Sequence, residues 1–205
     1  MTNTLVIDGH PDAGSLTAAL AQQYVAGASG PDSGRVATLT LRDLDIDPVL
    51  HGGYRRGQLV EPDLARAREL IEWSEHITVL TPVWWGSVPA LLKGFFDRAL
   101  VIGWAFRYQD NGRPEGLLGS RTGRLMVTSD SPRWYLPLVG DTTVRQVKGR
   151  TMEFCGIKPV RLTRFTDVRN ATDARRDAWL EQSRALGASD AGATAALGAQ
   201  VPTAA

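Results

Sequence analysis

The sequence predicts an α/β protein built on a doubly wound, five-stranded parallel sheet. Short runs of apolar and β-branched residues alternate along the chain with segments of helical spacing, and no internal repeat interrupts this alternation. The chain has 205 residues, of which 43% are hydrophobic, so it can bury a full core. We therefore expect one such domain over residues 1–186.

The first half of the chain contains three predicted strands and two predicted helices. They are a strand at Leu5-Val6-Ile7, a helix from Leu16, a strand over 35–41, a helix from Pro62 and a strand over Ile77–Leu80. Ser15 is a good N-cap for the first helix, and proline favours the first turn of the second. Residues 43–57, with a proline and three glycines, indicate a long surface loop.

The second half continues the alternation. The predicted elements are a helix from Pro89 to about Val101, a strand over 125–128, a helix over 144–154, a strand over 159–165 and a helix over 173–186. Five strands and five helices in this order are typical of the flavodoxin-like arrangement, in which ligands bind at the carboxyl ends of the strands. Residues 187–205 are rich in alanine and glycine, and we expect a disordered tail there, with a weak helix as the alternative.

Charge and composition exclude several classes of function. The net charge is +1 and the charged residues are dispersed, which argues against binding to nucleic acid or to an anionic membrane. No apolar run approaches the ~18 residues of a membrane span, and no secretory leader is recognisable at the start, so we expect a cytoplasmic protein. Cys155 is the single cysteine, which excludes an intrachain disulfide, and we expect it to be a small buried apolar residue.

The most informative segment follows the third predicted strand. It is the tryptophan turn, residues 82–89, which begins and ends with proline and contains Trp84, Trp85 and Gly86. Proline restricts the backbone at both ends, and glycine allows a close approach of backbone to a neighbouring group. Two adjacent tryptophans at the carboxyl end of a strand indicate a flat aromatic ligand.

Two further segments follow the first and fourth strands, at residues 9–17 and 128–132. In the predicted strand order these two loops are neighbours of the tryptophan turn. The first brings backbone N–H groups and the hydroxyls of Ser15 and Thr17 to a helix N-terminus, which suits a phosphate, although a capped helix start alone explains the same residues. The chain has neither a G-x-G-x-x-G after the first strand nor a P-loop motif.

The tryptophan turn and the helix after it carry a specific family resemblance. The segment resembles the core pattern P-x-x-W-x-x-x-P-A-x-L-K-G-x-x-D-R of the flavodoxin-like NAD(P)H:quinone oxidoreductases, which include DT-diaphorase and the modulator-of-drug-activity proteins. Gly103 to Tyr108 resembles the G-x-A-F/Y-x-Y segment that follows in that family. The resemblance covers most of residues 4–165.

The resemblance implies a flavin-dependent enzyme that is usually a homodimer and works by two-electron ping-pong transfer from NAD(P)H to quinones or similar acceptors. We expect FMN rather than FAD, because the long C-terminal extension of the larger FAD-binding members is lacking. The resemblance places four residues at the phosphate end of the flavin, His10, Ser15, Leu16 and Thr17. It places five along the flavin ring, Pro82, Val83, Trp84, Trp85 and Gly86. Phe106 and Tyr108 correspond to aromatic residues that cover the substrate pocket of the second subunit.

The chain departs from the family pattern after the fourth strand. The family often has Thr-Thr-Gly-Gly where this chain has Thr128, Ser129, Asp130 and a serine, and backbone here would contact flavin N1 and O2. In the following loop some members place a tyrosine and a histidine. Trp134 and Tyr135 stand there in this chain and are candidate substrate-pocket residues. No histidine accompanies them, so we predict no histidine charge relay.

Three other functions are open to test. A flavodoxin-like electron carrier and a regulatory subunit of a membrane transporter share the fold, but carriers are typically strongly acidic and lack an aromatic substrate cover. The His10-Pro11-Asp12 sequence is also similar to the loop of zinc-dependent deacetylases. We predict no metal site, because the second aspartate is Ala13 and no further pair of ligands follows. We expect the remaining histidines, His51 and His76, on the surface.

Overall fold

One parallel sheet forms the centre of the computed structural model, which describes residues 2–30, 34–132, 134–136, 138 and 140–198. Its strands are β1 (Thr4–Asp8), β2 (Val36–Thr40), β3 (His76–Pro82), β6 (Thr122–Ser129) and β7 (Val160–Thr166). They lie in the order β2-β1-β3-β6-β7 with every pairing parallel. The prediction of a doubly wound five-stranded parallel sheet is confirmed.

Helices cover both faces of the sheet. They are α1 (Leu16–Ala28), α2 (Pro62–Trp73), α3 (Ala90–Ala99), the short α4 (Thr142–Val144) with a π-helix over Arg145–Met152, and α5 (Asp173–Gly198). Ser15 caps α1 by accepting the N–H of Ala18 at 3.1 Å, as its sequence position predicts. None of the described helices combines the length and apolar character of a membrane span.

Two apolar clusters stabilise the layers. The larger packs one sheet face against α2, α3 and the π-helix, and the smaller packs the other face against α1 and α5. Cys155 lies in the larger cluster at 2% exposure, which confirms its prediction as a buried apolar residue. The larger cluster reaches the carboxyl edge of the sheet through Val88 and Val127, so the loops there are anchored in the core.

The sequence predicted no strands for a small hairpin that lies outside the sheet. Its antiparallel strands are β4 (Phe106–Tyr108) and β5 (Pro114–Gly116), with Gly112 at a φ of 77° in the connecting turn. The strands have three residues each, which is too short for a recognisable alternation of apolar and polar residues. The hairpin matters because it positions Phe106 and Tyr108.

The expectation of a disordered tail from residue 187 is wrong for residues 187–198, which continue α5. Asp190 and Ala191 are buried at 1% and 2% exposure. The Asp190 carboxylate accepts hydrogen bonds from the Arg124 guanidinium at 2.5 and 2.8 Å and from the Tyr24 hydroxyl at 2.7 Å. The ion pair with Arg124 thus helps to hold this part of α5, which contains few large apolar residues. Residues 199–205 lie outside the described residues.

The expected surface position of His76 is also wrong, whereas His51 is exposed as predicted. His76 is 3% exposed, with Nδ1 2.7 Å from the Thr122 hydroxyl and Nε2 3.5 Å from the Asp190 carboxylate. Its polar atoms therefore have partners inside the protein, and burial does not leave them unsatisfied.

Candidate functional site

The loops after β1, β3 and β6 meet at the carboxyl edge of the sheet, as the predicted strand order requires. The Val83 N–H donates to the Thr128 carbonyl at 2.8 Å, which joins the tryptophan turn to the end of β6. The hydroxyls of Thr17 and Thr128 are hydrogen-bonded at 2.9 Å, which joins α1 to the same point. A single edge is thereby formed from three separate parts of the chain.

The loop after β1 is shaped by hydrogen bonds within itself. The His10 N–H donates to Asp8, the Asp12 N–H donates to His10 Nδ1, and the Gly14 N–H donates to Asp12, at 2.9–3.1 Å. In the first turn of α1, the N–H groups of Leu16 and Thr17 have no acceptor among the described residues. Such free donors at a helix N-terminus favour an anionic group.

His10 connects this loop to the tryptophan turn. Its ring contacts that of Trp84 edge to face, with centroids 5.6 Å apart. Partial burial lowers the pKa of His10 below its usual range, so the ring is neutral at pH 7. Because Nδ1 accepts the Asp12 N–H, the proton of the neutral ring lies on Nε2. His10 can therefore donate one hydrogen bond from Nε2 without carrying charge.

The tryptophan turn has an unusual backbone. Trp84 and Ser87 exchange both backbone hydrogen bonds at 2.9 Å, and the residues between them, Trp85 and Gly86, have φ values of 53° and 71°. A positive φ is strained for tryptophan but not for glycine. The Trp85 side chain is fully exposed at 104% and that of Trp84 is 44% exposed. Strain and exposure of large aromatic side chains together indicate a binding position.

The tryptophan turn is held by hydrogen bonds from α4. The Thr142 hydroxyl donates to the Gly86 carbonyl, and the Thr143 hydroxyl donates to that of Ser87 at 3.2 Å. The backbone N–H groups of Trp85 and Gly86 have no acceptor among the described residues. They are consequently fixed donors on the exposed side of the turn, where a planar ligand could accept hydrogen bonds at its edge.

The loop after β6 faces the loop after β7. The Asp130 carboxylate accepts the Arg169 N–H at 3.0 Å and lies 3.4 Å from the Arg169 guanidinium. Ser129 accepts the Ser131 N–H on its hydroxyl at 3.0 Å and the Val168 N–H on its carbonyl at 3.1 Å. The residue that replaces the family glycine is thus oriented towards the loop after β7 by an exposed ion pair.

Of the four candidate substrate-pocket residues, Trp134 and Tyr135 lie beside the loop after β6, whereas Phe106 and Tyr108 lie apart from the edge within one chain. Trp134 and Tyr135 contact each other edge to face at 5.8 Å and line a groove with Asp130 and Arg169. Phe106 and Tyr108 line a separate cavity of about 470 Å³, which we call the aromatic cavity. Its lining includes Tyr54, Phe96, Phe106, Tyr108, Arg150 and Phe154.

Phe154 is a residue of the aromatic cavity that sequence reasoning missed. Its ring lies 5.0 Å from that of Phe106 and completes the aromatic wall. In the sequence it follows a helical pattern beside Cys155 and resembles any core phenylalanine, so only the packing against β4 reveals it. Burial raises the pKa of the Cys155 thiol, which also borders this cavity, to about 11, so it is a thiol and not a thiolate at neutral pH.

Comparison with known proteins agrees with the class that the fold and the edge define, an α/β protein of flavodoxin-like fold. The family model described as "Flavodoxin-like fold" matches residues 2–186. A Haemophilus influenzae protein named "Uncharacterized NAD(P)H oxidoreductase" is 26% identical over 87% of this chain and 91% of its own length. The "FMN-dependent NADH:quinone oxidoreductase" of Xanthomonas oryzae pv. oryzae is 33% identical over 68% of this chain and 72% of its own.

Solved structures agree with these relatives. Smu.1420 from Streptococcus mutans superimposes with a TM-score of 0.80 at 27% identity, over 91% of this chain and 99% of that one. The NAD(P)H:quinone oxidoreductase from Methanothermobacter marburgensis, at 20% identity and a TM-score of 0.75 over 91% and 98%, shares the fold. This chain belongs to the flavodoxin-like family that contains these oxidoreductases.

Proposed function

We propose that this protein is an FMN-dependent NAD(P)H oxidoreductase that reduces quinones or similar acceptors by two electrons. The observation that carries this proposal is the tryptophan turn, a strained turn with two exposed indoles and free N–H donors beside a free helix N-terminus. The names of the relatives, which include FMN-dependent NADH:quinone oxidoreductases, support the same activity.

The residues at the edge fit FMN. The free N–H groups of Leu16 and Thr17 and the Ser15 cap suit the phosphate, and His10 can donate from Nε2 nearby. The ring would lie along residues 82–86, where the N–H groups of Trp85 and Gly86 can donate to N5 and O4. Backbone of Thr128, Ser129 and Asp130 is the nearest source of contacts to N1 and O2.

Protein groups at this edge position and tune the reaction. Bound FMN supplies hydride chemistry, in which nicotinamide donates two electrons and, after it leaves, an acceptor receives them at the same place. The rigid turn holds the ring plane, because its carbonyls are fixed by the Thr142 and Thr143 hydroxyls. Neutral His10 adds a donor and no positive charge.

We propose that the working form is a cytoplasmic homodimer. In that form Phe106 and Tyr108 of one subunit would cover the flavin of the other, as in the family that the chain resembles. Support comes from the surface around the aromatic cavity, where Ile102 and Tyr108 are 54% and 57% exposed. Exposed apolar residues that are grouped together are typical of an interface. Sedimentation of a fully active monomer would contradict this part.

The test of the function is direct. The purified protein should be yellow, release about one FMN per chain on heating, and oxidise NAD(P)H with menadione when no partner protein is added. Flavin without steady-state turnover would favour an electron carrier, and flavin with co-purification of a transporter would favour a regulatory subunit. A colourless protein that takes up neither FMN nor FAD would overturn the proposal.

A further inference from the structure

The aromatic cavity contains one charge that the protein does not compensate. Arg150 lines the cavity, and its side chain has no ion pair or hydrogen bond with the described residues. The other charged residue of the lining is Asp97. Its carboxylate lies 2.5 and 2.7 Å from Lys93 Nζ and accepts the Tyr54 hydroxyl at 3.2 Å. Lys93, which does not line the cavity, therefore pairs with the Asp97 carboxylate, and the Arg150 guanidinium has no counter-charge among the described lining residues.

The remaining walls are suited to a flat ring. Phe106 is in edge-to-face contact with Phe154 at 5.0 Å and with Tyr108 at 5.9 Å, and Phe96 adds a further aromatic side chain. A volume of about 470 Å³ is in the ordinary range for a small-molecule site. Aromatic walls with a single cation at the side favour an aromatic ligand that carries an anionic group.

The other polar groups of the lining do not offer an equivalent contact. The Thr151 hydroxyl donates to the Gln146 carbonyl at 3.0 Å, within the π-helix. The Cys155 thiol is buried and uncharged at neutral pH. Arg150 is consequently the one side chain of the described lining that can pair with an anion at full charge. Its position results from the π-helix, a rare backbone form that is frequent at functional sites.

We propose that Arg150 determines acceptor specificity by selecting planar aromatic anions, such as sulfonated or carboxylated quinones and azo compounds, for the aromatic cavity. This inference rests on the proposed function and on the proposed homodimer, in which the aromatic cavity of one subunit would face the flavin of the other and receive the acceptor of the same reaction. The guanidinium binds the anionic substituent, and Phe106, Tyr108 and Phe154 contact the ring. Arg150 acts on binding and takes no part in electron transfer.

Equilibrium binding tests the proposal independently of turnover. Naphthalene-2-sulfonate and neutral 2-naphthol share a ring system, and their dissociation constants are measured by calorimetry on the FMN-loaded protein. In Arg150→Gln the ratio of sulfonate to naphthol affinity should fall by about threefold, the range of an exposed ion pair, and in Arg150→Glu it should fall further. Both effects should shrink in high salt, which screens exposed charges.

Arg145 offers a matched control. It is exposed on the same π-helix, its side chain has no partner among the described residues, and it does not line the aromatic cavity. Arg145→Gln removes the same charge five positions away and should leave the affinity ratio unchanged. An equal loss in both glutamine variants would show a general effect of net charge and would overturn the proposal.

Kinetics then connect binding to the reaction. With NADH fixed, the kcat/KM ratio of 1,4-naphthoquinone-2-sulfonate to menadione should fall about threefold in Arg150→Gln, mainly through KM. An unchanged ratio, or equal losses for both acceptors, would overturn the role of Arg150. Flavin content and menadione turnover of the wild type separate this failure from failure of the proposed function, which would appear as absence of either.

Discussion

The hydroxyl groups of Thr17 and Thr128 lie 2.9 Å apart in the interior and join the first turn of α1 to the end of β6. Thr128 also receives the Val83 N–H on its carbonyl, so one residue fixes the relative positions of all three loops at the carboxyl edge. Thr17 and Thr128 are buried, at 2% and 7% exposure, so each hydroxyl depends on the other as its partner. The geometry of the edge depends on this contact.

We predict that Thr17→Val destabilises the protein by about 1–3 kcal/mol, because it leaves the buried Thr128 hydroxyl without its partner. Urea unfolding with a fixed flavin concentration measures the change. Thr17→Ser keeps the hydroxyl and serves as the control, with a smaller loss. Unchanged stability of Thr17→Val would contradict the prediction, and an equal loss in Thr17→Ser would show that packing of the methyl group contributes as much as the hydrogen bond.

We predict that Gly86→Ala lowers flavin occupancy. A Cβ at this position, where φ is 71°, strains the turn and lies 3.0 Å from the Thr142 hydroxyl oxygen that holds it. Gly112→Ala is the matched control, since its φ of 77° imposes similar strain and a Cβ there has no heavy atom within 4 Å. Flavin absorbance per chain decides, and equal occupancy in the two variants would contradict the assignment of the turn.

We predict that substitutions of Asp130 and Arg169, which form an exposed ion pair, shift the flavin midpoint potential in opposite directions. In the proposed FMN site the Asp130 carboxylate would lie near N1 and O2 and repel charge on the reduced ring, so Asp130→Asn should raise the flavin midpoint potential by on the order of tens of millivolts. Arg169→Gln should lower it, because the guanidinium 3.4 Å away offsets that charge. A redox titration with both potentials unchanged would remove Asp130 from the site.

We predict that Asp190→Asn destabilises the protein by about 3–5 kcal/mol, because it leaves Arg124 buried without a counter-charge. Asp177→Asn, at an exposed position on the same helix, is the control. Burial acts to raise the pKa of Asp190, but hydrogen bonds from Arg124, His76 and Tyr24 hold it well below its usual range. The stabilisation is therefore present above pH ~4, the unfolded pKa, and is lost as the pH falls further.

That pH dependence has its own measurement. Acid unfolding of the wild type, followed by circular dichroism, should lose stability below pH ~4 more steeply than Asp190→Asn. Parallel curves for the two proteins would show that Asp190 does not titrate on unfolding.

We predict that Cys155 resists alkylation. Its thiol is 2% exposed and burial raises its pKa to about 11, so the reactive thiolate is scarce at pH 8. Mass spectrometry after incubation with iodoacetamide should show unmodified native protein and full labelling in urea. Rapid labelling of the native protein would mean that the aromatic cavity opens to the thiol.

The fold and the site edge were predictable where local signals agree. Apolar runs, Pro62 at a helix start, Ser15 as a cap and the tryptophan turn between two prolines each specify one local structure. The positive φ of Trp85 was not predictable, because tryptophan gives no sign of it in a sequence. The ring positions of Phe106 and Tyr108 likewise depend on the packing of a hairpin.

The errors have a common physical origin in contacts between distant residues. The sequence around His76 predicts a surface residue, because its partner Asp190 is 114 positions later in the chain. Only the packing of α5 brings Asp190 beside His76. The same contact explains why an alanine-rich segment extends a helix. Composition predicts whether a segment can bury apolar area, but it does not show an ion pair that forms only when the sheet and the helix are assembled.

The exposed indole of Trp85 makes the tryptophan turn a fluorescent reporter of its own ligand. A fully solvated indole emits at long wavelength, and a flavin placed against it would quench that emission by energy transfer. Titration of the apoprotein with FMN would thus be readable without a label, and a Trp85→Phe variant would identify which part of the signal comes from this turn. Trp85, the most exposed side chain of the turn, is therefore also the one whose fluorescence would report flavin binding in real time.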